Sequence, residues 1–212
     1  MIEHVIATRA YQPVFQPVVD LETRQVVGFD ALTRFDDGTP PELRFKEAAE
    51  MGITVPLEHA TVDAALRAAT RLPPGLFVSV NASPALILER ETIAVAAQDR
   101  SRPLILELTE REPVDDAGAG YASLRHILAL HPSYIKLDIT WVRAIDDDTA
   151  RQALVAGINH FATLTNSRII AEGVETDVEC KALRRLGIDF GQGYLFGHPE
   201  PVAAYVRGAV RP

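Results

Sequence analysis

The chain has 212 residues, of which 47% are hydrophobic and 24% charged, and its formal net charge is −8. This length can bury one substantial core, and the acidic balance argues against a basic face that would bind duplex nucleic acid. No apolar run approaches the ~20 residues that span a bilayer, and the N-terminus lacks a secretory signal pattern, so we expect a cytoplasmic protein without membrane contact. The one cysteine, Cys180, cannot form an internal disulfide.

The first third of the chain predicts a β-hairpin followed by two helices. Apolar and β-branched residues alternate along the hairpin, and helical spacing of apolar residues follows it. The predicted elements are an arm or helix at 1–12, strands near 14–19 and 25–33, and helices at 45–51 and 57–72.

Four later apolar runs each end on or beside a polar residue, namely Asn81, Glu107, Asp138 and Glu172. The sequence between these runs can form helices. The alternation predicts parallel strands that are buried on both faces and carry functional groups at their carboxyl ends.

A last strand is predicted at 190–196 and a closing helix at 199–210, which brings the strands to seven or eight. We therefore predict one α/β domain over residues 1–212, a TIM (β/α)8-type barrel with its site where the strands end. A doubly wound open sheet is the alternative. That fold would normally carry a glycine-rich phosphate loop, and the sequence shows none.

Acidic and amide side chains crowd the predicted strand ends, and a barrel would bring them together. Their oxygens suit hard divalent cations such as Mg²⁺ or Mn²⁺, and the absence of cysteine or histidine ligands disfavours zinc. Two such ions are the usual device for hydrolysing a phosphodiester, and Lys136 would orient a water or stabilise phosphate charge. The residues concerned are Asp30, Asn81, Glu107, Asp115, Asp116, Lys136, Asp138, Glu172 and Glu175.

Each of these residues also has an ordinary structural interpretation. A lone acid at a strand end is more often a helix cap or a solvated charge, and Asn81 can begin a turn. Lys136 can extend to the rim of an apolar layer. The three aspartates at 146–148 are interpreted as a cap for a helix that begins near Thr149. The coincidence of several strand ends favours the functional interpretation.

Eight segments, in order along nearly the whole chain, resemble the successive motifs of the EAL-domain family. They are FQPVVD at 15–20, GFDALTRF at 28–35, SVNAS at 79–83, ELTE at 107–110, DDAGAGY at 115–121, IKLD at 135–138, AEGVE at 171–175 and GQGY at 191–194.

The resemblance implies a modified TIM barrel whose first strand runs antiparallel to the others. It also implies hydrolysis of cyclic di-GMP to the linear dinucleotide pGpG with Mg²⁺ or Mn²⁺, by a protein that pairs as a homodimer. In the implied site Lys136 acts on the attacking water, Asp138 and Gln192 support it, and Gln16 and Arg34 contact the substrate.

The resemblance also assigns ligands and supporting residues. Glu110 and Glu175 would support the site or order its loops. The implied metal ligands are Asp30, Asn81, Glu107, Asp115, Asp116 and Glu172.

The sequence departs from the family pattern in two places. Asp30 replaces the signature glutamate, so its carboxylate reaches roughly 1.5 Å less far, and Mg²⁺ accepts little error in ligand distance. Between Glu110 and Asp115 only Arg-Glu-Pro-Val remains where the family has a helix and most of a strand. A crossover between parallel strands takes a dozen or more residues.

Three explanations of the short crossover stay open: a segment omitted from the sequence, a real deletion, or a strand recruited from a partner. Two main functional hypotheses also stay open. One is a metal-dependent cyclic di-GMP phosphodiesterase, and the other is a degenerate member that acts as a cyclic di-GMP receptor or protein-interaction module. An unrelated metal-dependent barrel enzyme is a distant third.

Overall fold

The structure, a computed structural model, describes residues 2–88, 102–108 and 132–206. The chain divides into two compact units. The first comprises residues 1–17, 27–110 and 199–211, and the second comprises residues 18–26, 111–198 and 212.

The first unit contains four strands and five helices within the described residues. The elements are α1 (Ile2–Thr8), β1 (Tyr11–Asp20, which continues into the second unit), β2 (Val26–Phe35), α2 (Pro41–Glu50), α3 (Thr54–Ala69), β3 (Phe77–Ala82), α4 (Pro84–Leu88), β4 (Leu104–Leu108) and α8 (Ala203–Val206).

The strand order in the first unit is β4-β3-β2-β1, and β2, β3 and β4 are mutually parallel. Helix α3 buries Leu57, Val62, Ala65 and Ala69, as its apolar spacing predicts. Leu57 belongs to a core cluster with residues of α1 and α2, including Ile2. Burial of these apolar faces fixes the helices beside the sheet.

In the second unit, helices lie between the last three strands along the chain. Its elements are the end of β1, β5 (Tyr134–Leu137), α5 (Ile139–Val142), a 3₁₀ turn (Ile145–Asp147), α6 (Thr149–Leu164), β6 (Arg168–Ala171), α7 (Asp177–Arg185) and β7 (Phe190–Gln192).

The strand order in the second unit is β1-β7-β6-β5. Strands β5, β6 and β7 are parallel, whereas β1 pairs antiparallel with β7, with Val18 opposite Gln192. This antiparallel first strand confirms what the family resemblance implied. Asp148 caps α6 by accepting from Arg151 N at 2.9 Å, so the helix-cap interpretation of the aspartate run is also confirmed.

Two predicted elements differ from expectation at one end each. The last strand ends at Gln192 because Gly193 adopts φ +157° and the chain turns, with Leu195 N donating to Val174 O. The closing helix begins only at Ala203, since Phe15 and Glu200 exchange backbone hydrogen bonds of 2.8 and 3.0 Å. The shortened crossover at 110–115 lies outside the described residues.

Candidate active site

The second unit contains a compact polar triad of Lys136, Glu172 and Gln192. Lys136 Nζ lies 2.8 Å from Glu172 Oε1, and Gln192 Nε2 donates to the same oxygen at 3.1 Å. The side chains of Lys136 and Glu172 are only 16% and 27% exposed. In such a partly desolvated place an ion pair is stronger than on an open surface, and the amide fixes which oxygen the lysine meets.

Strand register explains why these three residues meet. Lys136 lies opposite Ile170, and Ala171 lies opposite Gly191. Residues two apart on a strand share a face, so Glu172, two residues after Ile170, lies on the same face as Lys136. Gln192 follows Gly191 as Glu172 follows Ala171, and it therefore lies on that face as well. Glu172 N donates to Leu137 O at 2.9 Å, which extends the β5–β6 pairing up to the site.

The loop after Glu172 is held by close packing at two glycines. Gly173 has φ +70°, and a Cβ there would overlap the Ile139 side chain of α5. A Cβ at Gly193 would overlap the backbone of Val174. Because the loops that follow β6 and β7 approach this closely, each restricts the positions of the other.

Asp138 caps the short helix that follows Lys136. Its Oδ1 accepts from Thr140 N at 2.8 Å. This backbone hydrogen bond, together with one from the Thr140 hydroxyl, holds the pKa of the Asp138 carboxyl below its usual value. Asp138 therefore sets the direction in which the chain leaves β5, and its described contacts are with its own helix.

In the first unit, Asp30 is anchored to the neighbouring strand. It is 2% exposed and accepts from Ser79 Oγ at 2.6 Å. Asp30 and Ser79 are register partners, as are Asn81 and Glu107. Register partners on parallel strands share a face, so Asp30, Ser79, Asn81 and Glu107 all lie on one face of β2–β4.

The two predicted substrate contacts differ in exposure. Gln16 is buried at 8% exposed, whereas Arg34 is exposed and donates to Thr33 O at 3.3 Å. Glu175 is exposed as well, with its carboxylate 3.5 Å from the Arg143 guanidinium. Asp115, Asp116 and Glu110 lie outside the described residues.

Sequence reasoning did not single out three buried contacts near these residues. Ser79 binds Asp30, Glu58 of α3 accepts from the Ser83 hydroxyl just beyond Asn81, and Glu179 of α7 binds three backbone amides. Only Glu179 had a local signal, because Thr176 and Glu179 have the spacing of a capping box. The partners of Ser79 and Glu58 are 49 and 25 residues away in sequence.

The donor types present are those that a hard divalent cation accepts. Asp30, Asn81 and Glu107 place two carboxylates and one amide on one face of the first unit. Taken by itself, the triad of the second unit contains the carboxylate of Glu172. Within the described part of the chain, no three His, Cys, Asp or Glu side chains are grouped closely enough to hold an ion alone. Residue chemistry therefore fits Mg²⁺ or Mn²⁺, while a complete ligand set does not fall within the described ranges.

Comparison with known sequences identifies one family and several curated relatives. The family model for the EAL domain matches residues 1–114 and 113–199. The cyclic di-GMP phosphodiesterase PdeL of Escherichia coli K12 is 27% identical over 94% of this chain and 65% of its own length. The probable cyclic di-GMP phosphodiesterase PdeG of the same strain is 28% identical over 88% of this chain and 44% of its own length. The chain thus spans less than two thirds of the length of each of these relatives.

Solved structures share the fold. An EAL domain protein from Listeria monocytogenes EGD-e superposes with a TM-score of 0.80 at 21% identity, covering 96% of this chain and 94% of that one. Klebsiella pneumoniae BlrP1, in a complex with manganese and cyclic di-GMP, gives a TM-score of 0.75 at 26% identity over 90% and 56% of the two chains. These likenesses confirm the predicted α/β fold class, the modified TIM barrel. With the family model matching nearly the whole chain, the protein belongs to the EAL domain family.

Proposed function

We propose that this chain is a metal-dependent phosphodiesterase that hydrolyses cyclic di-GMP to linear pGpG. The observation that carries the proposal is the triad, in which Lys136 and Gln192 both contact Glu172 Oε1. The names of PdeL and PdeG, and the cyclic di-GMP bound to BlrP1, support the choice of substrate.

The triad suits the handling of a water molecule beside a phosphate. Lys136 has three N–H donors and no acceptor, so its ammonium can hold a water or a phosphate oxygen while Glu172 balances its charge. The Gln192 amide keeps Glu172 oriented. A positioned water and a compensated positive charge are what the displacement at phosphorus requires of the protein.

The proposed metal ligands are the oxygen donors that the family resemblance implies. They are Asp30, Asn81, Glu107, Asp115, Asp116 and Glu172. When bound, Mg²⁺ or Mn²⁺ would supply a water of lowered pKa and stabilise charge on the phosphate oxygens.

The other predicted roles are part of the same proposal. Gln16 and Arg34 would contact the nucleotide, while Asp138, Glu175 and Glu110 would support the site or its loops. We also propose a homodimer in the cytoplasm. No helix among the described residues is long and apolar enough to cross a membrane.

A second candidate function is a cyclic di-GMP receptor or protein-interaction module without turnover. Asp30 favours this second function, because its side chain is one methylene shorter than glutamate and already accepts a hydrogen bond from Ser79. A shortened ligand held within the sheet would bind Mg²⁺ with poorer geometry. Such a protein would retain the nucleotide site and lose catalysis.

A combined binding and hydrolysis assay separates the two functions. The protein is incubated with cyclic di-GMP and Mg²⁺ or Mn²⁺, pGpG is resolved by chromatography, and binding is measured by calorimetry in Ca²⁺. We expect pGpG from the unaltered protein and none from Glu172→Gln, while the exposed control Glu50→Gln stays active. Binding without any pGpG would rule out the enzyme and support the receptor.

A further inference from the structure

Glu179 is a buried carboxylate at an unusual place for a helix-capping residue. It lies in the first turn of α7, is 5% exposed, and belongs to a capping box with Thr176. A capping glutamate normally bonds only the backbone at the start of its own helix. Glu179 binds two separate segments of the second unit.

The two oxygens of Glu179 divide between those segments. Oε2 accepts from Glu175 N and Thr176 N, each at 3.0 Å, in the loop that follows Glu172. Oε1 accepts from Ala144 N at 3.0 Å, in the segment that follows α5. Ala144 has φ +54°, a conformation that an alanine seldom adopts without support from its surroundings.

Both segments lead directly into the triad. The loop at 173–176 continues from Glu172, and the segment at 138–144 continues from the strand that carries Lys136. They also touch where Gly173 lies against Ile139, so a shift of one segment would press on the other. Interactions that join these segments therefore fix the ends of β5 and β6 relative to each other.

We propose that Glu179 is a positioning residue that holds the strand ends bearing Lys136 and Glu172 in register. The inference rests on the proposed function for its catalytic consequence, while the hydrogen-bonded link itself stands on geometry. By joining the two segments, Glu179 restricts the distance between the lysine and the carboxylate of the triad. A shift of about 1 Å in such groups can cost two orders of magnitude in rate.

The ionisation of Glu179 agrees with this role. Burial alone would raise its pKa, but the backbone amides of Ala144 and Glu175, with further donors from Thr176, hold the pKa below the usual value. The side chain is therefore a carboxylate at neutral pH, with both oxygens able to accept.

The variant Glu179→Gln separates the link from the helix cap. Glutamine is an accepted residue at the third helical position (N3) of a capping box, so its one carbonyl oxygen can keep the hydrogen bonds from the amides of Glu175 and Thr176. Its NH₂ group cannot accept from Ala144 N. Glu179→Ala removes both sets of bonds, and Asp147→Asn makes the same carboxylate-to-amide change on an exposed neighbour of Ala144.

Amide hydrogen exchange and steady-state kinetics on the full chain test the proposal. In Glu179→Gln we expect exchange at Ala144 to accelerate roughly tenfold or more, with the Glu175 and Thr176 amides still protected. We expect kcat to fall on the order of tenfold with KM within about twofold. Glu179→Ala should accelerate exchange at all three amides, and Asp147→Asn should match the unaltered protein.

Unchanged exchange at Ala144 in Glu179→Gln would overturn the proposal. So would accelerated exchange with unchanged kcat, because the link would then not position the triad. If the unaltered protein makes no pGpG, the proposed function fails. In that case, amide hydrogen exchange in Glu179→Gln, measured at Ala144 and at Glu172 to Val174, decides without kinetics whether Glu179 joins the two segments.

Discussion

In the second unit Lys136, Glu172 and Gln192 contact one another directly, whereas in the first unit Asp30 is bound to Ser79 of the neighbouring strand. The arrangement in the second unit resembles a site that is assembled before any ligand binds. In the first unit, by contrast, a candidate metal ligand is hydrogen-bonded to the sheet that supports it.

This difference predicts that substitutions in the two units will affect different properties of the protein. Groups that contact one another across strand ends are arranged for chemistry, because their geometry needs little change when substrate binds. A buried carboxylate that accepts from a hydroxyl contributes to stability as well, since its charge is partly compensated inside the protein. We therefore expect changes in the second unit to alter turnover most, and changes around Asp30 to alter folding stability too.

The largest expected effect is on turnover. Lys136→Met keeps the length of the side chain but removes its charge and all three donors. We expect kcat to fall roughly 10²- to 10³-fold, which is the usual cost of removing one positioned donor that stabilises the transition state. The assay is pGpG formation under saturating Mn²⁺.

The matched control for Lys136 is Lys181→Met, an exposed lysine on α7 of the same unit. It should retain activity within about twofold. Equal activity in the two variants would contradict the contrast between the units, because the triad would then not be the centre of the chemistry.

The next effect is on stability at the close approach of Gly173 to Ile139. Gly173→Ala introduces a Cβ where the backbone has φ +70° and the side chain of α5 is in contact. We expect a loss of about 2 to 4 kcal/mol in the free energy of unfolding, measured with urea. Gly157→Ala, where a Cβ meets nothing within 4 Å, should instead stabilise α6 by about 0.5–1 kcal/mol. If Gly157→Ala also lowers the free energy of unfolding, the loss in Gly173→Ala would not be due to close packing against Ile139.

A smaller stability effect is expected in the first unit. Ser79→Ala leaves the buried Asp30 carboxylate without the hydroxyl, and we expect the free energy of unfolding to fall by about 1.5–3 kcal/mol. The comparison is Ser167→Ala, which removes a 2.7 Å hydrogen bond to the neutral Pro132 carbonyl and a 3.0 Å hydrogen bond with the neutral Thr165 hydroxyl, and should cost about 1 kcal/mol. If the two variants lose the same free energy of unfolding, the charge of Asp30 does not strengthen its hydrogen bond with Ser79.

The smallest effect concerns Asp138 and pH. Its folded pKa is lowered, chiefly by the Thr140 backbone amide, so its stabilising contribution is present above the unfolded pKa of about 3.9 and is lost as pH falls through the lower folded value. Asp138→Ala should reduce the free energy of unfolding by about 1 kcal/mol at pH 7. This difference should shrink on acidification below pH 4. A loss that is equal at pH 7 and pH 2 would contradict the cap.

Much of the fold follows from local patterns in the sequence. The apolar runs predicted β3 to β6, and the spacing of Leu57, Val62 and Ala65 predicted the buried face of α3. The antiparallel direction of β1 came only from the family resemblance, because an alternating pattern does not specify which neighbour a strand pairs with.

The candidate site was predictable in its residue types but less so in its contacts. Glu172 follows an apolar run, whereas Gln192 was assigned only through the family resemblance. The contacts of Ser79 with Asp30 and of Glu179 with Ala144 were not predicted, because the two partners lie 49 and 35 residues apart in sequence. The end of β7 was missed for another reason. The apolar pattern runs to Phe196, but the backbone angle of Gly193 stops the strand, and no hydrophobic period records a dihedral angle.

The contact between Gly193 and Val174 sets a limit for anyone who would diversify this protein. A Cβ at position 193 would occupy the space of the Val174 backbone, which cannot yield as a flexible side chain can. A library randomised at the residues around Gln192 should therefore return glycine alone at position 193 among its folded clones, while Tyr194, 58% exposed, should accept many replacements. Substitutions around Gln192 are therefore tolerated at Tyr194 and not at the residue before it.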